Sequence, residues 1–163
     1  MKFKETDTPI LENAEELRET LLAVASALRS AIAPWWIISG AAAALYGATE
    51  RRVADVDVLV DLGDTAHLVR TLGIRPAAGT SHDHFHSEWF ARWNGLPLTV
   101  EFMANFQVRT QQGWVRMLPA TRHAIVLSNT ELFVPARAEL ISMFECFGRP
   151  KDLLRAELLK QHA

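Results

Sequence analysis

Two aspartates two residues apart, Asp55 and Asp57, lie in the run ADVDVLVD and give the first chemical signal in this sequence. On a β-strand, side chains at i and i+2 point the same way, with α-carbons about 6.5 Å apart at roughly 3.3 Å rise per residue. Upstream, Ser39-Gly40 follows the apolar run Trp36-Ile37-Ile38 and opens a small-residue segment that reads as a helix. A glycine turn there leaves the N–H groups of a helix N-terminus free to hold an anion. Paired carboxylates suit a divalent cation, and a cation site beside an anion-holding turn suits polyphosphate chemistry.

A third carboxylate comes from the middle of the chain. Asn94-Gly95, between two apolar runs, predicts a two-residue hairpin turn. That turn would pair Trp93 with Leu96, Ala91 with Leu98, Trp89 with Val100, Glu88 with Glu101 and His86 with Met103. Paired residues share a face, so Glu88 and Glu101 would lie together with His86 beside them, lining one cleft. Glu101 sits between Val100 and Phe102, as on a central strand, where an acid needs a partner. Two partners fit: a cation shared with Asp55 and Asp57, or an arginine such as Arg92 or Arg109.

His82, His84 and His86 alternate along the same strand as Glu88. Three such ligands span about 13 Å, too far for one ion, although the pair His84 and His86 could chelate zinc and, with Glu88, serve a metallohydrolase. A polar, solvent-facing strand side accounts for the same pattern. Trp89 and Trp93 fall on the opposite face, as core or interface residues, with base stacking as their functional alternative.

The elements that must position these groups follow from periodicity. Apolar residues spaced by three or four predict a helix over 13–32, with Asn13 as its cap. A strand over 35–38, a helix over 40–46, a strand over 53–60 and a helix over 64–72 capped by Asp64 come next. After a loop or edge segment at 74–80 come the hairpin strands 84–93 and 96–103, then strands at 113–118 and 124–127. Helices over 136–147 and 151–161 close the chain, and residues 1–11 read as a loose lead-in. The expected architecture is one α/β domain, a mixed sheet flanked by helices.

The 163 residues are 49% apolar and carry a net charge of −2, which gives no basic field for gripping long nucleic acid. A single cysteine, Cys146, excludes an internal disulfide framework and reads as a buried helix residue in a reducing, cytoplasmic setting. There is no signal-peptide pattern and no apolar run of the ~18–20 residues a membrane helix needs.

The order Ser39-Gly40, then A-x-x-x-x-Y-G ending at Gly47, Arg51 and Arg52, Asp55-x-Asp57 and a later strand acid resembles the nucleotidyltransferase fold of the polymerase-β type. The resemblance is closest to its small single-domain branch, the abortive-infection AbiEii toxin nucleotidyltransferases. Val134-Pro135, Leu140 and Arg149-Pro150-Lys151-Asp152 match that group's C-terminal pattern, so the likeness spans roughly 36–155. It implies that Asp55, Asp57 and Glu101 hold two magnesium ions, with manganese as a substitute. Ser39, Gly40, Arg51 or Arg52, and Lys151 would bind the phosphates of an NTP. The implied reaction moves an NMP to a hydroxyl of RNA such as tRNA, of a protein or of a small molecule, within a toxin–antitoxin or phage-defence pair that includes a partner protein. A binding module that keeps the fold without turnover is the alternative. Four positions depart from the pattern: Ser39 replaces a glycine, Glu101 an aspartate, Phe144 a lysine and Arg155 an acid.

Overall fold

The structure, a computed structural model, describes residues 11–48, 50–77 and 82–161. Residues 1–10 of the expected lead-in and 78–80 of the expected loop lie outside it. The apolar stripe of the first helix forms α1 (Ala14–Ala27), which buries Leu17, Leu21 and Val24. It stops at Ala27, not near 32. The carboxylate of Asp64 accepts the N–H groups of Ile32 at 2.9 Å and Ala33 at 3.1 Å, which draws the chain out of the helix and leaves Ile32 92% exposed. That side chain makes no cap bond to the helix it precedes, α3 (Thr65–Leu72), whose first turn it was expected to close. Asn13 is likewise diverted. Its amide donates to Val53 O at 2.7 Å and accepts from Val53 N at 3.1 Å, clamping the start of α1 to the approach of the aspartate strand.

The main sheet runs β1 (Trp36–Ile38), β2 (Asp55–Val60), β4 (Thr99–Thr110), β3 (Phe85–Trp93), with β5 (Gly113–Arg116) on the far end of β4. β2 and β4 are parallel and the other pairs antiparallel, so the sheet is mixed, as the sequence predicts. α2 (Ser39–Leu45) leaves β1 directly. β6 (His123–Leu127) and β7 (Thr130–Val134) form a separate hairpin. β7 escapes sequence reading because its turn is Ser128-Asn129, both at positive φ (48° and 60°), where glycine would have signalled it. α4 (Arg137–Phe147) ends at Gly148, and α5 (Pro150–Gln161) follows at once. Phe144 is fully buried in the core that α4 contributes, whereas Cys146, expected inside, is exposed. Among the described residues no helix is long and apolar enough to cross a membrane.

The β3–β4 hairpin departs from its expected register. Trp93 pairs with Val100 and Arg92 with Glu101, so six residues, 94–99, separate the last pair, and the first five of them, 94–98, lie outside both strands. Pro97 explains this: a two-residue turn would set it opposite Arg92 in the ladder, where it has no N–H to give. Leu98 turns its N–H away to Thr20 Oγ1 at 3.1 Å, on α1. The shift is even, so Glu101 keeps its expected face but meets Arg92 and not Glu88.

Candidate active site

Parallel pairing sets Asp57 directly beside Glu101 and Asp55 beside Thr99. Val56 and Val58, buried on the other side of β2, fix the direction in which the aspartates point. One carboxylate oxygen from each of Asp55, Asp57 and Glu101 lies within 4.8 Å of the others. Glu101 also accepts from Arg92 Nε at 3.3 Å, so the arginine the sequence left open as its partner is present, beside an oxygen cluster that could hold the cation.

Asp57 Oδ1 is buried and has no hydrogen-bond partner among the described residues. An orphaned oxygen of this kind costs about 1–3 kcal/mol, more if charged. Burial raises the Asp57 pKa well above the usual carboxylate range, reinforced by the charges of Asp55 and Glu101 and by a hydrogen bond with Glu101; the Ser39 hydroxyl acts the other way. Asp55 is raised too, by burial and then by Glu101, while Lys151, Arg155 and Arg149 pull it back. Three clustered oxygen donors, one without a partner, form a set that fits a hard divalent cation. Ser39 holds φ at 58°, a left-handed conformation that glycine adopts freely and serine does not.

The cations come from the start of α5. Asp152 is completely buried and accepts from Arg149 Nε at 2.6 Å and Nη2 at 3.0 Å. Arg155 Nη1 lies 3.6 Å from Asp152 Oδ1, the oxygen that accepts Arg149 Nη2, while Arg155 Nε donates to Glu50 at 3.0 Å. Arg149, Asp152 and Arg155 recur every three residues and so share one face of the chain at this helix start, which brings two guanidinium groups to the cleft. Lys151 lines it as well and makes no ion pair among the described residues. That three-residue recurrence was the available signal for Arg149 and Arg155, which sequence reading did not assign to the site.

The cleft measures about 410 Å³. It is lined by the three acids, Ser39, Gly40 and the α5 cations, and by the apolar side chains of Phe85, Phe90, Met103, Phe106 and Phe147; the Arg149 guanidinium lies over the Phe85 ring, 4.7 Å from its centroid. Phe85 and Phe147 meet edge to face at 5.4 Å between centroids. His82 and His86 line the cleft as well. Glu88 does not line the cleft: with the shifted register it lies across from Asn105, whose Nδ2 donates to it at 2.6 Å. Arg51 and Arg52 are also elsewhere, engaged with Glu12 at 3.1 Å and Glu16 at 3.3 Å. Among the described residues no three histidines, cysteines or acids other than Asp55, Asp57 and Glu101 come close enough to share an ion.

No family model matches the sequence, and no curated protein matches it. Solved structures do match in fold. A provisionally assigned nucleotidyltransferase from Thermotoga maritima superposes with a TM-score of 0.70 at 19% identity, over 91% of this chain and 92% of that one. An antigenic nucleotidyltransferase-like protein from Paracoccidioides brasiliensis gives 0.57 at 17%, over 91% and 76%. The lincosamide antibiotic adenylyltransferase LnuA, with lincomycin bound, gives 0.59 at 9%, over 92% and 98%.

Proposed function

We propose, from the premise that this chain has the nucleotidyltransferase fold, that it moves a nucleotidyl group from an NTP to a hydroxyl acceptor. The acceptor oxygen forms a bond to the α-phosphorus, the bond to the bridging oxygen of the β-phosphate breaks, pyrophosphate leaves with that electron pair, and the acceptor proton passes to solvent. The observation that carries this reading is the buried, unpartnered oxygen of Asp57 beside Asp55 and Glu101. These three residues would hold divalent metal, magnesium or manganese, which when bound supplies charge neutralisation for attacking and leaving oxygens.

The chain's own contribution is positioning and charge. Lys151 and Arg149 face the acids across the cleft and offer donors to phosphate oxygens as negative charge shifts toward the leaving group. Lys151 keeps the role that sequence reading gave it, and Arg149 stands in for Arg51 and Arg52. Ser39 and Gly40 line the same cleft, and its phenylalanine wall offers apolar surface to a base or to an acceptor's carbon skeleton. His86, on that wall, is placed to touch acceptor or nucleotide.

The Arg92–Glu101 ion pair favours a second reading, a nucleotide-binding module without turnover, because it competes for the third acid. Incubation with each α-labelled NTP and total tRNA, cell protein or small hydroxyl compounds separates the two. Label transferred by the wild type and lost in Asp57→Ala supports the enzyme. Nucleotide binding without transfer to any acceptor class supports the module. Association with a partner protein in a toxin–antitoxin or phage-defence pair, cytoplasmic in setting, belongs to this proposal through the family resemblance alone.

A further inference from the structure

The proposed phosphate end of the cleft contains a cation that is already engaged. Arg155 points its guanidinium over Gly40 so closely that a β-carbon there would lie 3.1 Å from Nη2. Its Nε donates to Glu50 Oε1 at 3.0 Å and its Nη2 to Glu50 Oε2 at 3.4 Å, a two-pronged clasp. Glu50 belongs to the connection between α2 and β2, and Arg155 to α5, so the clasp joins two sides of the cleft. On its remaining side the guanidinium has Asp152, which is completely buried and also tied to Arg149. Two carboxylates thus hold one cation at the cleft wall, and they differ in what holds them. Asp152 is fixed by three donors from Arg149, two of its guanidinium and one of its backbone. Glu50 has no hydrogen-bond partner other than Arg155 among the described residues.

From this asymmetry we infer that Arg155 is a polyphosphate-binding residue of the site and that Glu50 is its exchangeable stand-in, a carboxylate occupying the donors that a phosphate group takes over. Arginine suits the exchange because its fork binds carboxylate and phosphate in the same bidentate geometry. Asp152 keeps the guanidinium at the wall throughout, so only the outer partner changes. Gly40 permits the approach: a β-carbon there would make the guanidinium give way by a few tenths of an ångström.

The inference rests on the nucleotide-binding reading above, and the two can fail separately. Calorimetry with ATP, and with AMP as the ligand lacking a polyphosphate, is run in magnesium buffer on wild type, Glu50→Gln, Arg155→Gln and the double variant. Removing the competitor in Glu50→Gln tightens ATP binding severalfold. Losing the fork in Arg155→Gln weakens it roughly tenfold, as expected for a charge-assisted bond. AMP binding changes little in either, and Glu50→Gln has no effect once Arg155 is gone. Thermal melts and circular dichroism confirm that each variant is folded. If both positions were merely structural, the two single variants would weaken ATP binding together; that result, or equal affinities in all four proteins, overturns the exchange. A wild type that binds neither ATP nor AMP overturns the nucleotide-binding reading and the exchange with it.

Discussion

Asp57 and Ser39 meet at the junction of β1, α2 and β2, and each is held in a state its residue type disfavours. Ser39 adopts φ 58° while its hydroxyl favours the charged form of Asp57. Replacing Ser39 by glycine relieves the backbone, with an expected gain of about 1 kcal/mol in urea unfolding. It also removes the only hydrogen bond among the named influences that lowers the Asp57 pKa. A loss of stability instead would show that the serine side chain outweighs the strain. Outside the site, Glu139 contributes stability that depends on pH. Burial works against its charge, yet bonds from the Thr121 hydroxyl and the N–H groups of Ala120 and Thr121, the latter two at 2.8 Å, hold its pKa below the usual value. The folded state therefore binds its proton less readily than the unfolded chain. The stability it contributes is present above the unfolded pKa and lost as pH falls through the folded one. Glu139→Gln should flatten the fall in melting temperature between neutral pH and about pH 3, and an unchanged acid limb would remove Glu139 from the account.

At the scale of elements, β2 is positioned as much by polar ties as by its valines. The Asn13 side chain satisfies both backbone groups of Val53, two residues before Asp55. Asn13→Ala leaves a buried donor and acceptor unmatched, with an expected cost of roughly 2–4 kcal/mol in chemical denaturation. A cost below about 0.5 kcal/mol, the level of an ordinary surface change, would mean that the tie does not position the strand. These long-range polar ties mark where sequence reading ends. Alternation in ADVDVLV is a local property, and it gave the right strand and face for both aspartates. Asn13 and Asp64 both look like helix caps from their neighbours, but each serves a partner more than 30 positions away. Asn94-Gly95 likewise reads as a tight turn until Pro97 and the bond from Leu98 to Thr20 are seen together. The hairpin thereby lengthens to 94–98, and the expected Glu88–Glu101 pair becomes Arg92–Glu101. The face of Glu101 was legible because the register slipped by an even number. Of the cations, Lys151 was named through the family pattern, but Arg149 and Arg155 were not, since Arg51 and Arg52 are near Asp55 in sequence while Arg149 and Arg155 are near it in space.

Taken as a whole, the molecule sets an acidic cluster on a sheet against a basic helix start, with a phenylalanine-lined recess continuing the cleft between them. Without a cation this arrangement opposes itself: burial and the mutual repulsion of the acids raise the pKa values of Asp55 and Asp57. A bound divalent ion would turn that repulsion into a stabilising interaction, by about 2.7 kcal/mol at a hundredfold excess over its dissociation constant. The direct test is a calorimetric titration of magnesium, then manganese, into wild type and Asp57→Asn at neutral pH, with melting curves at each point. The account predicts saturable binding that raises the melting temperature of the wild type. It predicts no such response in Asp57→Asn, which without metal melts at or above the wild-type temperature because it has one fewer buried charge. Equal responses in the two proteins, or none in the wild type, would contradict it.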